Sequence, residues 1–523
     1  MRVRPIVVTA VIAVTAVLLA SCALGDPDGG AAGEPRTFVT STGTVPHLNP
    51  QVIASPSVDI VTSPMLEPLV RLDDTFQVHP WLARDWEVSE DGRTVTLQLQ
   101  EGVSWHDGEP FTAEDVRFNV EEVMRYQAYG AQLVEHVESV ATPDDSTVVI
   151  TLDEPFGPIM EVLTLQQILP RHVFEGTDIL DNPANMAPVG TGAFVFENFD
   201  EGREISMTAN PDYWRGDVEV DRLIFVSMTD TNAATLALLA GDTQIGGAGQ
   251  GMLDQIRAAE HLELTQRGQL PRQFVFTMNT DVPELADPEV RKLVYRSINR
   301  AQVADVALPE VSTEATAMFP EEMEWIDPGV DYREEFSHDP DEVNAALDAA
   351  GHPRGPDGNR FTLRLHLMSV TAEARAVGAV IQSSMAEVGI GVDLRGEDTS
   401  VFQENVYHRR DFDMAIVEAT LGVDPSVGIT RWYHCVPEPV DAENPSGVCD
   451  QEIQQAVDNA LRSSDRADRA RHLRAVQDRA TEIMIAAPLV YTRPFGVYNT
   501  EVWDGLGNPD GLLSNDWTTI TPK

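Results

Sequence analysis

From residue 94 the chain reads TVTLQLQ, apolar at Val95, Leu97 and Leu99 and polar between them. Strict alternation of this kind predicts a half-buried strand. Asp107-Gly108 then signals a turn, and TAED at 112–115 has the form of a capping box, with Thr112 at the N-cap and Asp115 three residues on. Val116, Val120, Val123 and Met124 follow at helical spacing. The stretch VSWHDGEPFTAEDVRF (103–118), with Trp105, His106, Asp107 and Asp115, therefore has a structural explanation as strand, tight turn and capped helix before any catalytic one.

The same patterning runs through the second half. DPEVRKLVYRSI (287–298) opens on Asp-Pro, the chemistry helix starts prefer, and carries Val290, Val294 and Ile298 as its stripe. DEVNAALDAAG (341–351) predicts a helix ending at Gly351, followed by the alternating strand FTLRLHL. Val377, Val380, Ile381, Ser384 and Val388 share a helix face, with Gly389 as C-cap, before the strand IGVDL. DFDMAIV (411–417) predicts a strand, residues 451–487 two helices, and APLVYT a last strand. Interleaved strands and helices favour an α/β domain with a parallel or mixed sheet. The first half is richer in strands and turns, the folded part beginning near Thr37 with TFVTSTGT. GGAGQG (246–251) lacks dinucleotide-loop spacing, because position 252 is Met, and is expected to be a turn.

The N-terminus adds a location. MRVRP carries two arginines, IVVTAVIAVTAVLLA supplies about fifteen apolar residues, and LASC ends at Cys22. The apolar run is short for a spanning helix, which needs roughly twenty residues. The order of charge, apolar run, small residues and cysteine resembles a bacterial lipoprotein signal, with 1–21 removed, Cys22 lipidated and a flexible tether at 22–36. Such a tether reaches roughly 20 Å. The body is thus expected to work outside the cell, at the outer face of the cytoplasmic membrane, held there through the lipid anchor alone.

At 523 residues the chain is long enough for two or three domains. Its formal charge is −48, which disfavours nucleic acid and polybasic membrane binding. Lys292 and Lys523 are its only lysines; a GC-rich coding preference and a saline or alkaline habitat both account for that balance. With Cys22 assigned to lipid, Cys435 and Cys449 form an even pair expected to be a disulfide.

Chemistry is sparse. The chain has no phosphate loop, nucleophile elbow or H-E-x-x-H pair, and its 12 histidines are scattered. An enzyme is disfavoured, and neither cofactor nor metal site is expected.

Several segments in order resemble one family, the solute-binding proteins of ABC importers, family 5, the peptide and nickel type. They are HPWLARDWEVSEDGRTVTLQLQEGVSWHDGEPFTAEDVRFNVEEV (79–123), GTGAFVFENFD (190–200), NPDYWRG (210–216), FTMNTDVPELADPEVRKLVYRSINR (276–300), GIGVDLRGED (389–398) and FDMAIVEATLGVDP (412–425). The resemblance implies an α/β two-lobed periplasmic-binding-protein-like fold, type II, with an extra inserted domain and a hinge between lobes. Mapped here, the first lobe is 37–68, 188–273 and 490–523, the insert 69–187, and the second lobe 274–489. It implies that 103–118 is scaffold. It also implies capture of peptides or another small solute by a monomer, which delivers it to ABC permease and ATPase subunits. The alternatives are a non-peptide solute (a nickel chelate, an oligosaccharide, a cationic amine) and a ligand sensor without transport.

In peptide-binding members an aspartate shortly before the Asp-Pro dipeptide pairs with the peptide's amino terminus. Counting back from Asp424-Pro425, that place falls on Leu421, which makes no salt bridge. Glu418 stands where a tryptophan is common, and is expected to face the cleft and select a cationic group of the solute, with Arg431 as the alternative, internal partner. Asp424 itself is the other possible anchor, Thr420 a neighbouring contact, and Trp432 an apolar wall. Thr42, Thr44 and Val45, in the first-lobe loop STGTVPHLNP, and Tyr491, after the last crossing, complete the expected ligand contacts.

Overall fold

A computed structural model describes residues 35–523 except 54, 270, 369, 370, 508, 510, 512 and 513, and except the side chain of Gln250. The signal segment, Cys22 and nearly all of the tether lie outside the described residues.

Two large sheets organise the body. The first has seven strands in the order Leu262–Thr265, Gly496–Asn499, Ile245–Gly247, Thr37–Thr42, Arg222–Ser227, Glu204–Ala209 and Phe194–Asp200. Thr37–Thr42 runs parallel to both its neighbours, and the other pairings are antiparallel. The second has six strands, Ser312–Glu314, Ala486–Thr492, Arg272–Met278, Met414–Thr420, Phe361–Met368 and Ile390–Glu397. It is mixed, Phe361–Met368 lying parallel to both its neighbours. The chain crosses between the sheets after Thr265 and again after Thr492, side by side, where Gln266 Nε2 donates to the Arg493 carbonyl at 2.7 Å. Two lobes joined by two adjacent crossings make a two-lobed α/β fold.

A third, four-stranded antiparallel sheet (Ala83–Val88, Thr94–Leu99, Thr147–Leu152, Val137–Asp144) sits in the excursion between the first strands of the seven-stranded sheet. Val95, Leu97 and Leu99 are buried and their neighbours half-buried, as the alternation predicts. They share one apolar cluster with Trp432 and with Ile453, Val457, Leu473 and Val476 of helices Gln451–Arg462 and Arg466–Ile483, so a continuous core runs from this sheet to those helices.

The stretch 103–118 folds as its pattern requires. Thr112 and Asp115 close a reciprocal capping box on helix Ala113–Phe118. The His106 amide donates to the Gly190 carbonyl at 2.8 Å, and its Nδ1 accepts from the Gly190 amide at 3.1 Å. Its Nε2 then carries the proton, donated to the Gly192 carbonyl at 3.1 Å. Burial pushes the ring's pKa down to about 4, so it is a neutral structural link. A side chain at Gly190 would meet the Met65 carbonyl oxygen at 1.8 Å, which explains a glycine there.

Two expected elements differ. The last strand of the DFDMAIV region runs Met414–Thr420, placing Glu418 and Thr420 on it and leaving 411–413 before it. At GGAGQG the first two glycines belong to strand Ile245–Gly247, because Gly246 and Gly247 pair with Val497 and Gly496; the turn starts only at 248.

Candidate functional site

A cavity of about 260 Å³ lies where the three sheet bodies meet. Its first wall is helix Pro56–Thr62 and the segment behind it: Ser55, Pro56, Asp59, Ser63, Leu66, Pro68, Arg71 and Leu72. Ser55 caps that helix, its hydroxyl accepting from the Val58 amide, and Pro56 takes the first helical position, where a missing amide costs nothing. Val58, Val61, Met65 and Leu66 pack on Phe38, Phe194 and Phe225 of the seven-stranded sheet, and Asp59 is left facing the cavity. Gln127, Tyr129, Thr164, Leu165 and Gln167 form the second wall, beside the four-stranded sheet. Thr420, Gly422 and Val423, at the end of a six-stranded-sheet strand, form the third. Gly422 has φ +76 and a side chain there would come within 2.6 Å of Gly428 Cα, so this tight turn accepts only glycine.

Behind the first wall sits a buried carboxylate. Glu67 accepts from Trp81 Nε1 (2.8 Å) and the Tyr213 hydroxyl (2.9 Å) on one oxygen. Its other oxygen accepts from the Thr191 hydroxyl (2.7 Å) and Trp214 Nε1 (2.9 Å). Burial raises its pKa, while the Arg71 charge and these donors pull it back. The guanidinium carbons of Arg71 and Arg215 stand 3.6 and 4.0 Å from the Trp81 ring centre. Segments around 67, 81, 191 and 213 are thereby tied together at one point.

The expected ligand contacts scatter. Thr420 lines the cavity. Glu418 is half-buried and pairs with Arg272 across adjacent strands, Nη1 to Oε1 at 3.0 Å, rather than with Arg431. Arg431 donates to the Thr420 carbonyl at 3.3 Å and lies 5.2 Å from the Trp432 ring. Trp432 and Leu421 are each 1% exposed and belong to the core. Asp424 is equally buried; its carboxylate accepts from the Ser426 amide at 2.8 Å and faces Arg469 at 3.5 Å, and it is not among the cavity's lining residues. Thr42 is buried at the end of its strand, Val45 sits in the core and Thr44 is exposed. Their loop folds back on the insert, where Asn49 Nδ2 donates to Asn185 Oδ1 at 2.8 Å, so the following helix supplies the first wall instead. Tyr491 lines a second cavity, of about 310 Å³, beside the crossings, with Asp74, Glu322 and Arg493; its hydroxyl donates to the Met318 carbonyl at 2.6 Å. Cys435 and Cys449 are joined by a disulfide.

Asp59, Tyr129 and Gln167 escaped the sequence reading. The available signal was Ser55-Pro56 as a helix start, with an acid on the flank opposite the stripe Val58, Val61.

The family model for bacterial extracellular solute-binding proteins, family 5 Middle, matches residues 77–438, well over half of the chain. The chain belongs to that family. It is 26% identical over 487 residues to the nickel-binding periplasmic protein of Escherichia coli, covering 88% of this chain and 89% of that one. It is 24% identical over 470 residues to di/tripeptide-binding protein 1 of Pseudomonas aeruginosa, covering 84% and 85% respectively. Among solved structures, the ABC transporter substrate-binding protein CtaP of Listeria monocytogenes superposes with a TM-score of 0.82 at 20% identity, over 93% of this chain and 99% of that one. The family is one of binding proteins rather than of enzymes, and a substrate-binding role follows for this chain. Among the described residues no helix is long and apolar enough to cross a membrane, and no group of three or more His, Cys, Asp or Glu is placed to hold a metal ion.

Proposed function

We propose that this solute-binding protein is the lipid-anchored receptor of an ABC importer, taking a small solute into the cavity between its lobes, with peptides the leading class. The observation that carries the reading is the cavity's construction from three bodies at once. A solute touching all three binds the closed arrangement better than an open one and shifts the population towards closure. The closed, loaded monomer is what a membrane permease selects, while a separate ATPase supplies the energy. The lobe partition (37–68 with 188–273 and 490–523; insert 69–187; second lobe 274–489) is supported by the two crossings, which fall a few residues from those limits.

Cys22 is the proposed lipid site, which holds the body at the outer face of the cytoplasmic membrane. Radiolabelled palmitate incorporated into the wild-type chain and lost in Cys22→Ala tests the anchor. Deleting the gene and measuring uptake of labelled di- and tripeptides tests import: a loss restored by the wild-type gene supports it, and unchanged uptake of every solute the purified protein binds contradicts it.

A further inference from the structure

We propose that the cavity takes an organic solute bearing a positively charged nitrogen, an ammonium or guanidinium group, and that Asp59 is the residue that pairs with it. The proposal rests on the reading of this cavity as the solute site. The other buried or half-buried acids named above already have partners: Glu67 its four donors, Asp74 the guanidinium of Arg493, Asp115 its capping box, Glu418 the guanidinium of Arg272, and Asp424 that of Arg469, which also binds Glu161 on the helix Ile159–Leu163. Asp59 lines the cavity, and among the described residues neither a hydrogen bond nor an ion pair reaches its carboxylate.

Arg71, the other charged residue of the cavity wall, acts elsewhere. It stacks on Trp81, donates to the Ser514 hydroxyl at 3.3 Å, and its charge acts on Glu67. Burial alone perturbs Asp59, with no opposing contribution from Arg71. A carboxylate taken out of water without a counter-ion is costly, and a cationic ligand removes that cost. A bare metal ion asks for several ligands, whereas one carboxylate suffices for one ammonium or guanidinium. Tyr129, Leu66, Leu165 and Val423 give the cavity an aromatic and aliphatic lining suited to the organic part of such a solute.

The test measures binding at pH 8 by calorimetry with matched probe pairs, trialanine against N-acetyl-trialanine and L-arginine against L-citrulline. Wild type, Asp59→Asn and Asp59→Glu are compared, with circular dichroism to establish that each is folded. The expected result is that wild type prefers the cationic member of at least one pair by about 10- to 100-fold. Asp59→Asn loses that preference and Asp59→Glu keeps it. The first pair reports an amino terminus and the second a side-chain cation. Equal binding within each pair, or a preference that survives Asp59→Asn, overturns the proposal. If wild type binds no probe, the solute it retains on purification decides: a cationic nitrogen supports the proposal, and a neutral or anionic solute, or none, overturns it. Unchanged uptake on gene deletion contradicts import and leaves this preference untouched, so the two readings fail separately.

Discussion

Arg469 Nη1 lies 3.5 Å from Asp424 Oδ2 while Arg469 Nη2 donates to Glu161 Oε1 at 3.1 Å, with all three side chains buried. One guanidinium thus joins the helix Arg466–Ile483, the loop after strand Met414–Thr420 and the helix Ile159–Leu163 beside the four-stranded sheet. Burial raises the Glu161 pKa and Arg469 opposes the rise; against burial, Asp424 and Glu161 together hold the guanidinium's own pKa up. Removing Arg469 leaves two buried acids beside each other, with only the weaker charge of Arg466 acting on Glu161. Arg469→Met is expected to destabilise the chain by about 3–5 kcal/mol in urea unfolding at pH 7. A change within about 0.5 kcal/mol would show the triad to be dispensable.

Glu67 presents only acceptors to four donors, and an amide in its place turns a donor towards two of them. Glu67→Gln should therefore cost about 2–3 kcal/mol. Unfolding followed by tryptophan fluorescence suits this site, because Trp81 and Trp214 are among the donors.

Asp59 makes stability and binding respond to pH in opposite senses. Its pKa rises from 3.8 to about 7 through burial, so between those values the folded chain holds a proton that the unfolded chain has released. The stability this contributes is complete below pH 3.8 and is lost as the pH rises through about 7. A cationic solute needs the carboxylate, so affinity should climb over the same rise through pH 7. The groups around it are Arg71 on the same wall and Tyr129 opposite. Melting temperature against pH from 5 to 9 should show a descending step in ligand-free wild type that Asp59→Asn lacks. An identical profile in the two proteins would contradict it.

The disulfide Cys435–Cys449 closes a loop of sequence separation 14 next to the buried segment around Trp432. Replacing both cysteines with serine should lower stability by about 3 kcal/mol through the freed unfolded chain. Melting of the double variant beside reduced and oxidised wild type measures it.

Local features were legible in the sequence because they depend on near neighbours. The capping box of Thr112 and Asp115, the alternation at Val95, Leu97 and Leu99, and the helix stop at Gly389 all appear where the pattern puts them. The two-lobed architecture was legible through ordered motifs, several of which meet at Glu67. The site was mostly illegible. Glu418 meets Arg272, 146 residues away in sequence, rather than the nearby Arg431, because strand register chooses the neighbour. Asp424 is as acidic in sequence as Asp59; only packing decides that one faces Arg469 and the other a cavity. Leu421, just before the tight turn at Gly422, and Trp432 are buried in the core, which their sequence neighbours do not reveal.

The solute is proposed to lie in the cavity lined by Asp59, Tyr129 and Thr420. Native mass spectrometry of the protein purified from its own host tests it most directly, comparing wild type with Thr420→Trp, whose indole would fill the cavity. Wild type is expected to carry the mass of a small solute, and folded Thr420→Trp to lack it. The same bound mass at the same occupancy in both proteins would contradict it.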